Sequence, residues 1–363
     1  MEMGGQFRFL GIQFCSVHTD NSCQAFYINL VVAAVLSPGY LWSLPAVDFQ
    51  PDLPFNSKLK QMDWLGILVY LVGTACFTLA LTFGGSVFDW NSPAEIVFWV
   101  LSGVLLIAIA ALTIYHPLVA KKDRLYPGHF LRRPLIINLQ VQIFLLSGIN
   151  LTVAYYIPLY FQFTRNDSAL QAGVRLLPYI AMMVVFSMIN GMFMTRFGYY
   201  LPWYLAGTVL TLVGAVLMYT ISSTTSTGAI YGFTALIGIG LGLCLQAGFA
   251  VVQSLVPPED IPNTVGFMSL AQDFGVVFVL GIAGCIYNNL GAVKLGTVLE
   301  TSSKSEIEKY LVGTSSEAFQ SLASTAQAAI VDEIIRTMKA VWALLIASAA
   351  ICVVLTFLLK VRY

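Results

Sequence analysis

The sequence predicts an all-α polytopic membrane protein, and three observations predict it. Hydrophobic residues make up 58% of the 363 and charged residues only 10%, whereas a soluble domain carries about 25% charged residues. The apolar residues gather into about nine runs, each near the ~20 residues a helix needs to cross the hydrocarbon core. They fall at about 26–46, 64–84, 96–115, 136–161, 173–195, 202–221, 229–252, 264–287 and 339–359. Gly and Pro recur inside these runs, which membrane helices tolerate and soluble helices do not.

The same composition excludes other classes. The formal net charge is +0, so no nucleic-acid partner is expected. Cys15, Cys23, Cys76, Cys244, Cys285 and Cys352 form no C-x-x-C pair, and His18, His116 and His129 lie far apart. Neither a disulfide framework nor a metal site is indicated. Acidic and His residues do not gather as in a membrane enzyme, and no G-x-x-x-x-G-K-[ST] loop marks an ATP site. The opening MEMGGQFRFLGIQFCSVHTD lacks the charged start and small-residue cleavage site of a signal peptide.

Lys and Arg in short loops set the orientation. Lys58 and Lys60 follow the first run, and Lys121, Lys122, Arg124, Arg132 and Arg133 follow the third. Arg196 sits in a later turn, and Lys360 and Arg362 end the chain. Single spans put all of these on one side, so that side and the C-terminus are expected in the cytoplasm. The turns at 85–95 and 222–228 carry no Lys or Arg, and Arg165 stands alone in the third outer turn. The long 290–338 segment is expected outside. Within it, Phe319, Leu322, Ala326, Ile330 and Ile334 have helical spacing, which predicts an amphipathic helix lying on the outer surface. Nine spans then leave the N-terminus outside, although residues 1–25 hold nothing suited to crossing. Five preceding helices would remove that conflict.

Polar residues inside hydrocarbon are costly and turn toward a bundle interior or a cavity. On the 136–161 helix, Asn138, Gln142 and Tyr156 fall within about 40° of one another, with Asn150 at the edge of the stripe and Gln140 elsewhere. Gln246 and Gln253 are seven apart on the 229–252 helix, after Gly238, Gly240 and Gly242, which make it thin enough for close packing. Such side chains either wall a substrate pathway or bind helices together, and both readings stand. Gln272 precedes Asp273, some nine residues into its span. Asp273 is the candidate carrier of a coupled proton; the alternative is a hydrated carboxylate near the rim. Arg175, three residues before Pro178, would bind an anionic substrate, close an outer gate or snorkel to headgroups. Asn166-Asp167-Ser168 is a formal glycosylation sequon in a turn too short for a sugar to be expected.

The turn GMFMTRFGYY (191–200) contains Gly-x-x-x-x-Arg-x-Gly at Gly191, Arg196 and Gly198. A small Gly191 would allow close packing, Arg196 would sit at the negative helix end, and Gly198 would take positive φ. This pattern resembles the loop signature of the major facilitator superfamily, Gly-x-x-x-Asp-Arg-x-Gly-Arg-Arg, in its degenerate second-half form. Thr195 stands for the Asp, and Tyr199 and Tyr200 for the Arg pair. FYINL (26–30), the 58–92 segment, YYIPLYFQ (155–162), SALQAGVRLLPY (168–179), RFGYYLPW (196–203) and the 238–266 segment follow in the order of the fungal fourteen-span drug:proton antiporters, the toxin and multidrug efflux pumps of that superfamily.

The resemblance implies a domain plan. Residues 1–25 are a divergent segment, 26–46 the last helix of an N-terminal half, 47–116 a central two-helix insertion and 117–135 a cytoplasmic loop. Residues 136–363 are the C-terminal transporter half, with its outer loop at 290–338. Helices one to five of the family plan have no counterpart. The resemblance further implies export of hydrophobic toxins, drugs or secondary metabolites by alternating access of two halves, with substrate bound between them. The proton gradient would drive it, without a bound cofactor, in the plasma membrane or, alternatively, the vacuolar membrane. The alternative is a truncated, transport-inactive half-transporter that is inert or acts only with a partner protein supplying the missing half.

Overall fold

A computed structural model describes residues 22–43, 54, 57, 62–85, 88–115, 119, 128–298, 307, 310–311 and 324–359. Among these, helices account for all the extended secondary structure. Most of the expected 1–25 segment, Lys58, Lys60, Lys121, Lys122, Arg124, Phe319, Leu322, Lys360 and Arg362 lie outside the described residues.

The chain divides into two units, Met1–Lys60 and Gln61–Tyr363. The first contains helix α1 (Ser22–Ser43), at the place of the first expected span. Pro38 lies inside it. Having no N–H, Pro38 leaves the carbonyl four residues earlier without its ladder donor. That carbonyl belongs to Ala34, and the Ser37 hydroxyl donates to it at 2.9 Å, a local repair of the kind membrane helices use.

Among its described residues, the second unit holds eight helical segments long and apolar enough to cross a membrane. Helices α2 (Trp64–Phe83) and α3 (Pro93–Ile114) form a hairpin. The Asp63 carboxylate caps α2 by accepting from Gly66 N–H at 2.7 Å. Ser92 caps α3, with Pro93 in the first turn, where its missing donor costs nothing. Next come α4 (Pro134–Arg165), the short α5 (Ala169–Val174), α6 (Leu177–Phe197) and α7 (Leu201–Tyr219). Then follow α8 (Thr227–Cys244), α9 (Ala247–Ser254), α10 (Ile261–Val298) and α11 (Ser324–Phe357).

Small residues decide which helices touch closely. At the α4–α10 crossing, a Cβ on Gly275 would strike the Phe144 backbone, and one on Gly148 would meet Val279 Cβ at 2.5 Å. Helix α8 is pinched from two sides. Gly238 and Gly242 lie against the Tyr179 and Met183 carbonyls of α6, while Gly240 lies against the Gly207 carbonyl of α7, each at 2.5 Å from an ideal Cβ. The expected thinness of this helix is therefore used on both faces. In a bilayer, where apolar surface gives no drive for helix association, such backbone approach is the main source of contact energy.

Two expectations change between the last two spans. The amphipathic helix expected to lie on the surface is instead the start of α11, in line with the final span. Its buried residues Ile330 and Ile334 continue in phase into Met338, Val341, Trp342 and Leu345, so nothing interrupts the helix. The ends of the 290–338 segment, expected as an outer loop, are helical: α10 runs to Val298 and α11 begins at Ser324. The two extensions are joined by Lys294 and Glu333 at 3.4 Å, and Glu333 also meets Arg336 at 3.2 Å. Tyr287 donates to the Leu311 carbonyl at 3.0 Å.

Candidate substrate pathway

The polar stripe of α4 is spent largely on neighbouring helices. Asn138 donates to the Leu355 carbonyl of α11 at 2.9 Å. Gln142, fully buried, donates to Asn138 Oδ1 at 2.6 Å and accepts from Thr356 of α11 at 3.3 Å. Asn150 Oδ1 accepts from the Tyr179 hydroxyl of α6 at 2.6 Å. Tyr156 is buried and packs edge-on to Tyr287 of α10, with ring centroids 5.5 Å apart. The stripe thus reaches three different helices: α11, α6 and α10.

The 229–252 helix is broken. Helix α8 ends at Cys244 and α9 resumes at Ala247. Gln246 occupies the break and is exposed, while Gln253 on α9 is half-buried. The 173–195 helix is broken as well, at Arg175 and Leu176 between α5 and α6. There Arg175 is held rather than snorkelled. Its guanidinium donates from Nε and Nη2 to both oxygens of Asp167, with Nη2–Oδ1 at 3.1 Å. It also donates to the Tyr231 hydroxyl of α8 at 3.4 Å and lies 4.8 Å from the Phe161 ring centre. The planar fork suits this bidentate, stacked site. Asp167, the middle residue of the sequon, is thereby tied into the fold.

Helix α10 is braced on two sides and open on a third. Phe77 of α2 stacks on Phe278 at 5.3 Å, and Phe144 of α4 packs on Phe274 and Phe278 at 5.8 and 5.4 Å. Tyr70 of α2 donates to the Leu270 carbonyl at 3.1 Å, and Ser147 of α4 donates to the Gln272 carbonyl at 2.8 Å. The Gln272 side chain is half-buried, and Asp273 beside it is exposed. Asp273 is 12 residues beyond Ile261, so at about 1.5 Å per residue it lies ~18 Å along the helix.

The signature turn is placed as a turn. Gly198 has φ +70° and caps α6, its N–H bonded to the Met194 carbonyl at 3.0 Å. Arg196 lies exposed in the last turn of α6, at its negative end. Gly191 differs from expectation: a Cβ there would meet no atom within 4 Å, so close packing does not require it. Residues that the sequence reading passed over include Asn190, whose side chain donates to the Leu243 carbonyl at 2.7 Å. Its signal was visible as one amide in an apolar run. Glu95 was passed over too, because it was counted in a turn.

The Major Facilitator Superfamily pattern matches residues 64–280. The chain belongs to the major facilitator superfamily. This facilitator chain is 48% identical over 326 residues to the efflux pump DEP3 of Fusarium langsethiae, covering 90% of the chain and 59% of that protein. It is 47% identical to the efflux pump DEP3 of Alternaria brassicicola, covering 93% of the chain and 60% of the relative. The efflux pump alnA of Emericella nidulans is 38% identical, with 94% and 63% covered. The facilitator chain therefore spans about three fifths of the length of the curated relatives it matches. Family membership and eight apolar helices make it an integral membrane protein.

Proposed function

We propose that this chain supplies the C-terminal half and central hairpin of a proton-coupled exporter of hydrophobic toxins, drugs or secondary metabolites. One observation carries the reading: Asp273 is an exposed carboxylate about a third of the way along the spanning helix α10. A charge at that depth is not left facing lipid tails. Its open side suits a water-accessible path, with Gln272, Gln246 and Gln253 as further polar candidates along it. Asn138, Gln142, Asn150 and Tyr156 hold the helices that shape that path, and Arg175 fixes its outer end. That its relatives are named as efflux pumps supports the direction of transport.

In this reading a proton enters through Asp273 as substrate leaves. Its carboxylate accepts the proton from the outer phase, and the neutral acid releases it to the cytoplasm after the halves rock. The plasma membrane is the proposed location, with the C-terminus cytoplasmic; the vacuolar membrane is the alternative. The test is efflux of a fluorescent hydrophobic drug from proteoliposomes under an imposed pH gradient. Asp273→Asn is expected to abolish gradient-driven export with insertion unchanged. Equal export by the variant at every pH would remove Asp273 from the mechanism. Export only after co-expression with a chain supplying a first half would assign the activity to the assembly. Absence of export in both arrangements would overturn the reading.

A further inference from the structure

Glu95 is a buried acid that neither the family signature nor the proposed pathway uses. It lies in the first turn of α3, in the sequence Ser92-Pro93-Ala94-Glu95. This is the pattern of a capping box, in which the Glu would reach back to the Ser92 N–H. It does not do so. Ser92 N–H donates to the Asp89 carbonyl at 2.8 Å instead. Glu95 turns inward, is 0% exposed, and accepts through Oε1 from the Trp99 indole N–H at 2.8 Å. Its Oε2 is buried with no hydrogen-bond partner.

The surroundings are built around this side chain. A Cβ on Gly84 would come within 2.8 Å of Glu95 Oε1 and of the Trp90 ring, so the backbone at 84 is bare where the acid and indole lie. Trp99 is in turn fixed edge-on against Phe77, at 6.1 Å and 89°. Asn289 of α10 clamps the end of the hairpin. Its amide donates to the Gly84 carbonyl at 3.2 Å, and its oxygen accepts from Trp90 Nε1 at 3.4 Å. The titratable group facing Glu95 from α10 is Cys285, and Asp89 lies in the turn before α3. Among the described residues no Lys, Arg or His pairs with Glu95.

An ionised carboxylate has about four lone-pair positions to satisfy. Here one oxygen has a single neutral donor and the other has none. The helix N-terminus favours negative charge, but that gain is smaller than the cost of a desolvated carboxylate without a cation. We propose that Glu95 is a proton-binding site of this protein, occupied in the present conformation and exchanging with the aqueous phase at the N-terminal end of α3. On the Lys and Arg count, that phase is the outside. Binding is the simple addition of a proton to the carboxylate, and release its loss to water, with no other reactant. The inference does not depend on the chain exporting anything.

Infrared difference spectra between the complete wild-type chain and Glu95→Gln, both in lipid nanodiscs at pH 7, test the proposal. One neutral-carboxyl carbonyl band is expected in the wild type and absent from the variant, and it should shift to lower frequency in deuterated buffer. No difference band would mean that Glu95 is ionised, which overturns the proposal. A band that does not shift in deuterated buffer would mean a sealed structural acid, which also overturns it. Glu95→Asp provides a check if Glu95→Gln misfolds: the shorter acid should keep a neutral-carboxyl band at an altered frequency, and losing the band entirely would count against the site.

Discussion

Helices α4 and α6 are both apolar spanning helices, but they stand differently in the protein. In the most apolar stretch of the α4 span 67% of residues are buried within the chain, against 11% in that of the Ala169–Met194 span, which contains most of α6. Helix α4 contacts α10 and α11 through Gly148, Asn138 and Gln142. Helix α6 packs on α8 along one narrow side, through Tyr179 and Met183, and exposes Val184, Val185, Met188 and Met192. Hydropathy makes the two look alike, since it reports the solvent a helix can enter and not the neighbour it meets. Small and polar residues make the distinction. They mark where a backbone or a hydrogen bond from another helix must fit.

The largest expected effect sharpens this contrast at two glycines. Gly275→Leu would drive a side chain into the Phe144 backbone and should cost about 3 kcal/mol or more, the upper range for overpacking. Gly191→Leu, on the open side of α6, should be neutral or slightly stabilising through helix propensity. Size-exclusion profiles and thermal unfolding in detergent would read both. Similar losses at the two positions would break the comparison.

A middle effect is expected at the α5–α6 break. Arg175→Ala leaves Asp167, whose side chain is only 9% exposed, without its charged donor. Loss of such a bond costs roughly 2 kcal/mol, and the unfolding temperature should fall. Arg175→Lys should recover only part of it, because a point charge cannot replace the fork. Full recovery would mean that charge alone matters there.

The smallest is Gln142→Leu, which removes the α4–α11 link through Thr356 but keeps the volume. Interhelical hydrogen bonds in membranes average about 0.6 kcal/mol, so the loss should be near 1 kcal/mol or less. A loss of several kcal/mol would show that the stripe carries more of the α4 anchoring than its glycine does.

The sequence made the spans legible because length and composition decide them. The α7 expectation of 202–221 differs from Leu201–Tyr219 only at its ends. Gly198 was legible as a left-handed cap because few other residues take that φ. What a polar side chain bonds was not legible. Asn138 and Leu355 are 217 residues apart, and no local pattern encodes that meeting. The α11 extension was misread because the apolar stripe at Ile330 and Ile334 fits a surface helix as well as a longer span. Only its phase with Met338 and Val341 separates the two. Glu95 was missed because the 96–115 run was started after it, although Ser92-Pro93-Ala94-Glu95 is a helix-start pattern.

The joined extensions of α10 and α11 act as a mast. Each helix continues past the length a bilayer requires, and the Lys294–Glu333 pair lashes them together at 3.4 Å. A continuous α-helix has no hinge of its own, and sharp bends need an identifiable cause such as Pro or a bulge. Any tilt of these helices in the membrane would therefore swing the mast head beyond the bilayer. A fluorophore there would register the motion of the buried part without touching the pathway.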